Sequence, residues 1–542
     1  MKKQLLFILM LIINVLSINA QVNFTDSNLP IIVINTDNFI VDEPKVGGDM
    51  GIIDNGNGQR NNLTDSYSYE GRIGIELRGQ TSQFLFDKKS YGFETWDAND
   101  EDLDTTLLGL PKEEDWILYG PYSDKTMIRN VLIYELSNQI GMYASRTRFC
   151  ELMLNGQYQG VYVLMEKIKR DGDRVDIKKL NPDEIEAPDI SGGYLLRLDK
   201  LDDNDQNIFS SNYATSNRPL TYQVVYPNEN DLQPEQFQYI QDYMNDFEAA
   251  LSGENYTDAM LGYRQYIDVN TFIDFLLLNE LGRNPDAYRI STFFHKEHEA
   301  DGGLLKMGPI WDFNIGMGNA NFCMGSSPEG WVFDYNSVCP DDAWLIGYWW
   351  DRLLSDEAFA NEVAVRWQTL RQTTFSIENI HQMIDDYAQL LDEAQVRNYE
   401  RWQTLGVGVW PNDFVGETYE EEVTFLKDWF GNRVTWMDEN INSIQKEEER
   451  LFYADDSFIF FPNPFLDNLN IEMYQVTRGE TILRFHTTTG QQLAAFKIMK
   501  ELEIPHYIQL PTEMTNQWSK GIYFYTIEID GRIVSNGKVV KQ

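Results

Sequence analysis

The spacing of apolar residues changes once along the first 450 residues, near Pro234. Before this point, short runs such as residues 72–78 alternate apolar and polar side chains, which is typical of strands with one buried face. After it, long segments such as residues 377–403 repeat apolar residues at helical spacing. The order predicts an α+β fold with a strand-rich lobe and a helical lobe. A cleft between two such lobes is a common ligand site.

A third pattern begins after residue 456. Short alternating runs at residues 481–485, 491–496 and 521–529 are separated by turn residues, including Gly490 and Gly531. Regularly spaced short strands of this kind predict a small all-β sandwich. We therefore expect one large domain over residues 67–450 and a separate β-sandwich over residues 451–542.

The N-terminus has the features of a secretory signal peptide over residues 1–20. Lys2 and Lys3 precede an apolar run, residues 5–16, and Ala20 offers a small residue for cleavage. The run is shorter than the roughly 20 residues that span a bilayer, and no later segment is apolar enough. We expect an exported protein that is not integral to a membrane. Residues 21–66 are expected to form one strand and then a mobile loop, because residues 47–62 are rich in Gly, Asn and Asp.

The chain is strongly acidic, with 44 Lys and Arg against 85 Asp and Glu, a formal net charge of −41. Such a field repels nucleic acid, so we expect no nucleic-acid partner. It is compatible with divalent cations or basic protein substrates, although a solvated acidic surface is the simpler explanation.

Three cysteines are present. Cys323 and Cys339 flank a segment rich in Gly, Ser, Pro and Asn and are near enough in sequence to pair, but spacing alone leaves the paired and free forms equally open. Cys150 lies in an alternating apolar run and is predicted to be a buried thiol.

Several charged residues stand at strand ends. Arg78 ends a strand and precedes Gly79 and a hydroxyl-rich turn, where backbone N–H groups can approach an anion. Lys88 and Lys89 begin the next strand, and Glu166 ends a later one, where it can pair with one of these lysines. Each feature is weak alone, because exposed Lys–Glu pairs are ordinary.

Two aspartates follow regular elements. Asp286 comes just after a helical pattern that Pro285 ends, and Asp312 follows an apolar strand and precedes Phe313. In phosphoryl transfer one Asp accepts the proton of the substrate hydroxyl and another holds Mg²⁺. The alternative is that Asp286 caps a turn and Asp312 binds backbone amides, and the residues alone favour these structural roles.

Six ordered motifs then change the interpretation. They are LRGQTSQ at 77–83, KKSYGFE at 88–94, IRNVLIYELS at 128–137, ELMLNGQYQGVYVLMEKIKRD at 151–171, GGYLLRLDK at 192–200 and GPIWDFN at 308–314. With them, residues 67–450 resemble the CotH kinase family. The resemblance implies a two-lobed, atypical protein-kinase-like fold that uses ATP and Mg²⁺, with Mn²⁺ as an alternative.

The resemblance also implies roles for individual residues. Asp286 is expected to be catalytic, and Asp312 is expected to bind the metal. Arg78 and one of the two lysines, Lys88 or Lys89, are expected to contact phosphate, with Glu166 as the acidic partner of that lysine.

Two positions depart from the kinase pattern. Ser291 stands where kinase-like catalytic loops have a second, metal-binding Asn, and Asn314 replaces an acid that often follows the metal-binding Asp. A hydroxyl or an amide can still bind Mg²⁺, although more weakly than a carboxylate.

The C-terminal segment resembles the type A sorting domain of the type IX secretion system of Bacteroidetes. The motifs are FPNPF at 461–465, TTGQQL at 488–493, KGIYFYTI at 520–527 and GKVVK at 537–541. This implies transit through the periplasm and recognition by an outer-membrane translocon. A plain carbohydrate-binding or adhesive sandwich is the alternative.

The leading hypothesis is therefore a secreted kinase that phosphorylates Ser or Thr of secreted or surface proteins. The second is a kinase-like surface protein for adhesion or matrix assembly, with little or no phosphoryl transfer. A polysaccharide hydrolase with paired carboxylates is a third possibility, but no motif of its own supports it.

Overall fold

The structure is a computed structural model. It describes residues 22–56, 58–201, 206–215, 218–446, 458–473, 481–498, 506–510, 512–529 and 532–542. The predicted signal peptide and the turn at Gly531 lie outside the described residues.

Seven of the described strands close into a barrel. They are β2 (Ile31–Thr36), β3 (Val46–Ile53), β5 (Tyr69–Arg78), β6 (Ser90–Trp96), β7 (Asp115–Tyr119), β8 (Thr147–Leu154) and β9 (Gln157–Glu166). The order around the barrel is β2-β3-β5-β6-β7-β9-β8, and a parallel pairing of β2 with β8 closes it. Alternating apolar residues fill the interior, where Ile34, Ile75 and Leu152 are fully buried. Two short strands, β1 (Asp26–Ser27) and β4 (Asn61–Asn62), pair separately.

The expectation of a mobile loop over residues 47–62 is wrong for its first half, which forms β3. The glycines in this strand make room for side chains that cross it. A Cβ at Gly51 would lie 2.6 Å from the ring of Tyr67, and one at Gly47 would lie 2.7 Å from the guanidinium of Arg72. The barrel therefore takes strands from both sides of the expected boundary after residue 66.

The dipeptide Asn155-Gly156 stands between two alternating runs and predicts a β-hairpin, which the structure confirms. Both residues have positive φ, 51° and 72°, as a two-residue turn of the I′ type requires. It joins β8 to β9.

A second sheet lies outside the barrel. Its strands are β10 (Tyr194–Leu198), β11 (Ile208–Thr215), β12 (Arg218–Tyr226), β13 (Thr292–Lys296) and β14 (Leu305–Met307), in the antiparallel order β11-β12-β10-β13-β14. Residues 291–295 and 304–307 also have a strand-like sequence, and β13 and β14 confirm this prediction. Leu198 at the end of β10 pairs with Thr292 at the start of β13. This register brings the segment after residue 198 beside the segment before residue 292.

The helices match the apolar spacing of the sequence. They are α1 (Thr81–Leu85), α2 (Arg129–Gln139), α3 (Pro234–Ser252), α4 (Val269–Gly282), α5 (Tyr335–Val338), α6 (Trp349–Ser355), α7 (Glu357–Arg371), α8 (Ile377–Arg401) and α9 (Tyr419–Asn440). The helical pattern over residues 344–367 is divided at Asp356, whose side chain accepts from the backbone N–H of Ala358 and caps α7. The helices and the second sheet share one core. The chain is thus α+β, with a strand-rich part followed by a part in which helices cover a sheet.

The C-terminal residues form two further sheets. The elements are β15 (Phe458–Phe461), β16 (Asn470–Met473), β17 (Thr481–Thr487), β18 (Gln492–Ile498), β19 (His506–Gln509), α10 (Thr512–Thr515), β20 (Gly521–Ile529) and β21 (Arg532–Lys541). The sheet orders are β15-β16-β19 and β18-β17-β20-β21. Phe460 from the first sheet and Phe485 and Ile527 from the second belong to one buried cluster.

The structure contains one disulfide and one free cysteine. Cys323 and Cys339 form a disulfide, with Cα atoms 5.7 Å apart, and Cys150 is a buried free thiol as expected. Within the described ranges, no helix combines the length and the apolar character needed to cross a membrane.

A buried ion pair joins α4 to α9. The Arg433 guanidinium donates to the Glu280 carboxylate at 3.2 Å, and both side chains have no exposed surface. Burial lowers the pKa of Arg433 to about 9 and raises the pKa of Glu280. Glu280 also accepts from the backbone N–H groups of Val332 (2.8 Å) and Phe333 (3.1 Å). The pair therefore fixes the end of α4, from which the loop with Asp286 departs.

We predict that Glu280→Gln lowers the free energy of unfolding by about 3–5 kcal/mol, because it leaves the Arg433 charge buried without a counter-charge. The matched control is Glu362→Gln, which removes the more exposed partner of Arg264 (3.0 Å) and should cost less than about 1 kcal/mol. Urea unfolding followed by tryptophan fluorescence measures both. Equal losses in the two variants would contradict the structural role of the buried pair.

Candidate active site

A cavity of about 350 Å³ is lined by the barrel, the second sheet and the loops that follow α4 and β14. Its walls include Arg78, Gly79, Gln80, Thr81, Ser82, Ile117, Tyr119, Met165, Arg197, Asp199, Lys200, Asp286, Ile290, Ser291, Trp311, Asp312, Asn314 and Trp410. Five of the eight residues predicted from the sequence are in this set: Arg78, Asp286, Ser291, Asp312 and Asn314.

Asp312 is held through its backbone by α2 and by the loop after α4. Its N–H donates to the Tyr134 hydroxyl (3.0 Å), and the next N–H, of Phe313, donates to Asn130 (2.8 Å). The Asn284 amide donates to the Asp312 carbonyl at 3.3 Å. Asp312 has φ of 61°, a left-handed conformation that Asp tolerates better than most residues. The backbone contacts leave the carboxylate free of hydrogen bonds to the residues that the structure describes.

The Asp312 carboxylate lies in an unfavourable electrostatic environment. Burial, and then repulsion from Asp286 and Asp199, raises its pKa to about 7. Lys200 and Arg78 oppose this rise. The three aspartates are therefore close enough to act on one another electrostatically, although they lie far apart in sequence.

Asp286 follows a sharp helix end. α4 ends at Gly282, and Arg283 takes the left-handed conformation with φ of 39°. The Asp286 N–H then donates to the Asn284 side chain (3.2 Å), and its Oδ1 accepts from Arg289 (3.2 Å). Burial raises the pKa of Asp286, and the Arg289 charge opposes that rise.

Asp199 was not predicted as a site residue. It follows β10, and the register of β10 with β13 places it beside Ser291, whose backbone N–H donates to its carboxylate. Burial raises the pKa of Asp199, while Arg197, with Nη1 at 3.8 Å, lowers it. The sequence signal for Asp199 was an alternating strand that ends in the charged pair Asp199-Lys200. This pair lies in the motif at residues 192–200, from which no site residue was predicted.

Two cationic side chains, Arg78 and Lys200, also line the cavity. The guanidinium of Arg78 lies 5.8 Å from the centre of the Trp311 ring. It makes no hydrogen bond to any residue in the described ranges, and burial lowers its pKa. Lys200 reaches the Thr81 hydroxyl at 3.3 Å. Arg78 is thus a half-buried cation at the cavity wall, and its guanidinium donors are available.

The turn after Arg78 needs glycine. Gly79 has φ of 97°, and a Cβ there would lie 2.2 Å from the Ser82 hydroxyl oxygen. Glycine lets Ser82 and the backbone lie close together at the cavity wall.

Lys88 and Lys89 do not reach the cavity, which corrects the expectation that one of them contacts phosphate. The Lys88 ammonium is buried and donates to the Val161 carbonyl (2.5 Å) and the Asn398 side chain (2.8 Å), so it joins the barrel to α8. The Lys89 ammonium donates to the carbonyls of Gln83 (2.7 Å) and Phe86 (2.5 Å) and fastens the α1 segment.

The expected pairing of Glu166 with a lysine is also wrong. Glu166 is fully buried, and its carboxylate accepts from Arg146 (2.7 Å) and from the Tyr143 hydroxyl (3.2 Å). It does not line the cavity. The signal in the residues for the pairing was that Glu166 ends a strand, and Arg146, which lies 20 residues earlier in the sequence, provides the charge instead.

Ser291 and Asn314 line the cavity, but each already has a partner. The Ser291 N–H donates to Asp199, and the Asn314 side chain is hydrogen-bonded to Tyr119. The Asn314 carbonyl accepts from Asn319 at 2.8 Å.

The donor set fits a hard divalent cation. Carboxylates of Asp199, Asp286 and Asp312, with the amide of Asn314 and the hydroxyl of Ser291, offer only oxygen as the metal-binding atom, and Mg²⁺ prefers oxygen ligands. Burial and then repulsion from Asp286 and Asp199 raise the pKa of Asp312, and a divalent cation bound beside Asp312 would relieve the repulsion.

Comparison with known proteins agrees with this geometry. The family model described as CotH kinase protein matches residues 75–437, which is more than half of the chain. The chain belongs to the CotH kinase family. The matched range contains Arg78, Asp199, Asp286 and Asp312, and a kinase-like family implies the use of ATP and a metal ion in general.

Other comparisons add little to the family assignment. No curated protein matches. One similar solved structure is the Pseudomonas fluorescens alkylpurine DNA glycosylase AlkC bound to DNA containing an abasic site analog, with 11% identity and a TM-score of 0.11. The similarity covers 41% of this chain and 58% of the glycosylase. It is too weak to indicate a common fold or activity.

We predict that Asp312→Asn stabilises the metal-free CotH kinase at pH 8 by about 2 kcal/mol and has little effect near pH 4. The pKa of Asp312 is about 7 in the folded protein against an ordinary 3.8. The unfolded chain thus loses this proton at lower pH, and stability falls as pH rises from about 4 to 7. Asparagine does not ionise, so Asp312→Asn removes this loss of stability.

Urea unfolding in EDTA at pH 4, 6 and 8 measures the effect. Asp428→Asn, an exposed position on α9, is the control and should give the same small change at every pH. An Asp312→Asn effect that does not grow with pH would contradict the electrostatic account.

Proposed function

We propose that this CotH kinase family member is a secreted protein kinase that transfers the γ-phosphoryl group of ATP to Ser or Thr of secreted or surface proteins. The observation that carries the proposal is the meeting of Asp199, Asp286, Asp312 and Arg78 in one cavity from four separate segments. Three acids and a free cation suit a phosphate ester and a divalent ion better than a neutral ligand.

Each residue takes a role from its position. Asp286 accepts the proton of the acceptor hydroxyl, and Asp312 with Asp199 holds Mg²⁺ or Mn²⁺. The bound metal neutralises charge on the phosphate oxygens. Arg78 and Lys200 contact the phosphates, because both line the cavity and the Arg78 donors are available. Catalysis then rests on positioning and charge rather than on a covalent intermediate.

The rest of the cavity suits a nucleotide base. Ile117, Met165, Ile290 and Trp410 contribute apolar surface to its walls. Ligand pockets commonly combine such a surface with a few well-placed polar groups. The base is held by these side chains while the phosphates lie toward the aspartates.

Export is the second part of the proposal. Residues 1–20 direct passage across the inner membrane, and the C-terminal sheets act as a type IX sorting domain whose partner is the outer-membrane translocon. The Cys323–Cys339 disulfide supports an oxidising destination. The FPNPF motif supports a structured module, because the N–H of buried Phe465 donates to Val540 (2.8 Å) and Asn463 accepts from the same residue (2.9 Å).

One observation favours the alternative of a kinase-like adhesion or matrix protein without efficient transfer. At the two positions that depart from the kinase pattern, a hydroxyl (Ser291) and an amide (Asn314) are the groups offered to a metal, and the Asn314 side chain already interacts with Tyr119. Both groups bind Mg²⁺ more weakly than a carboxylate, which weakens the second metal position.

We predict that the wild-type chain transfers label from γ-labelled ATP to itself or to casein with Mg²⁺ or Mn²⁺. Asp286→Ala should lower the rate at least about 100-fold, because it removes the proton acceptor. Asp312→Ala should abolish transfer and also the metal-dependent thermal shift with nucleotide. Lys167→Ala, a residue outside the cavity that pairs with Asp115 at 2.8 Å, is the control and should retain activity.

A wild-type chain with neither transfer nor a nucleotide shift would favour the adhesion alternative. Transfer that survives both aspartate substitutions would refute the site assignment while leaving a kinase in place.

We predict that Arg78 and Lys89 differ in their effect on ATP binding. Arg78→Gln should raise the KM for ATP about 10- to 100-fold, because it removes a charge-assisted contact worth roughly 1.5–3 kcal/mol. Lys89→Gln keeps a donor for the Gln83 and Phe86 carbonyls and should change the KM less than about twofold. Initial rates at varied ATP measure both, and the reverse order would restore Lys89 as the phosphate contact.

A further inference from the structure

We propose that Arg289 is a positioning residue that orients the Asp286 carboxylate for proton transfer and is itself held by Asp342. This inference rests on the proposed kinase function and adds to it a second layer of residues behind the catalytic aspartate.

Arg289 is buried, with 5% of its surface exposed, and its donors contact several groups. Nε donates to the Pro285 carbonyl (2.9 Å), Nη2 donates to Asp286 Oδ1 (3.2 Å), and Nη1 donates to Asp342 Oδ1 (3.2 Å). Nη1 also contacts the Trp344 carbonyl at 3.1 Å. One guanidinium therefore joins the catalytic loop to the segment around residue 342.

Asp342, which accepts from Arg289, is itself held in place by several contacts. The guanidinium carbon of Arg289 lies 4.1 Å from the centre of the Tyr335 ring, and the Tyr335 hydroxyl donates to Asp342 Oδ2 (2.7 Å). The Trp344 N–H donates to Asp342 Oδ1 (2.8 Å). The Asp342 N–H donates to the carbonyl of Cys339 (3.2 Å), which is one half of the disulfide. The Asp342 carboxylate thus has little freedom to move.

The two carboxylate oxygens of Asp286 differ in their hydrogen bonds. Oδ1 accepts from Arg289, whereas Oδ2 has no hydrogen bond to a described residue and is available to a substrate. In the reaction, the acceptor O–H bond breaks and its proton passes to Oδ2. The acceptor oxygen forms a bond to the γ-phosphorus, the bond from that phosphorus to the β–γ bridging oxygen breaks, and ADP leaves with the electron pair. Without the Arg289 contact the Asp286 carboxylate rotates, and Oδ2 no longer faces the acceptor hydroxyl in a fixed position.

Lysine would not reproduce these contacts. A guanidinium presents several donors in a rigid plane, so it can contact Asp286 and Asp342 together, whereas an ammonium is a single point charge. The arginine also places a positive charge beside Asp286, which lies near Asp199 and Asp312. Loss of Arg289 therefore affects the orientation of the aspartate as well as its charge balance.

The test compares the full-length wild type with Arg289→Ala, Arg289→Lys and Asp342→Asn, using labelled ATP and casein. We expect Arg289→Ala to lower kcat about 100-fold, the scale of a small misplacement of a reacting group, with the KM for ATP within about threefold of wild type. Arg289→Lys and Asp342→Asn should give intermediate kcat values. Added guanidinium ion at millimolar concentration should restore at least about tenfold of the Arg289→Ala rate, and methylammonium should restore less.

Arg366→Ala, which breaks the pair of Arg366 with Asp274 (2.7 Å) on α7 and α4, is the matched control and should keep wild-type kinetics. Asp342→Asn retains Arg289, so the proposal stays testable if Arg289→Ala fails to fold. An unchanged kcat in both Arg289→Ala and Asp342→Asn would overturn this inference but not the proposed kinase function. A raised KM for ATP with an unchanged kcat would have the same meaning. A wild-type protein without any transfer would overturn the proposed function and this inference together.

Discussion

Repulsion among Asp199, Asp286 and Asp312 is the constraint on which the rest of the site depends. Three carboxylates in one partly buried cavity oppose each other's ionisation, and burial together with repulsion from Asp286 and Asp199 raises the pKa of Asp312. They stay together because each is held by contacts to a different element: Asp312 through its backbone by α2, Asp199 by the register of β10 with β13, and Asp286 by Arg289. The fold thus supplies the energy that keeps these charges close, and the divalent cation that we propose for this site would return part of that energy on binding.

Much of the fold could be predicted from the sequence. The helices and most strands follow the apolar spacing, and the Asn155-Gly156 turn follows from two residues that accept positive φ. The strand Val46–Ile53 could not be predicted, because its glycines are explained by Tyr67 and Arg72, which cross the strand only in the folded barrel. The second sheet could not be assembled from the sequence for a related reason: two of its strands were predicted, but its strands come from two distant segments, and local pattern does not reveal which strands pair.

The residues of the candidate site also fall into those that the sequence could predict and those that it could not. Asp286 and Asp312 could be predicted because each follows a regular element and Asp312 also lies in a recognisable motif, and Arg78 because it precedes an obligatory glycine. Lys88, Lys89 and Glu166 were assigned wrongly, since a charged side chain at a strand end can turn toward backbone carbonyls or toward a distant arginine as easily as toward a ligand. Asp199 becomes a site residue only through pairing of β10 with β13, which joins residues nearly a hundred positions apart.

The parallel pairing of β2 with β8 has a consequence for the order in which the chain folds. Ile31 pairs with Glu151, so the first barrel strand is synthesised long before the strand that closes the barrel. Until then β2 has an unpaired edge of backbone donors and acceptors, which is a template for wrong pairing with other chains. Non-local pairings of this kind also fold slowly. The closed barrel, which has no free edge once complete, therefore imposes a delay during which the nascent chain depends on being kept apart from other unfolded chains.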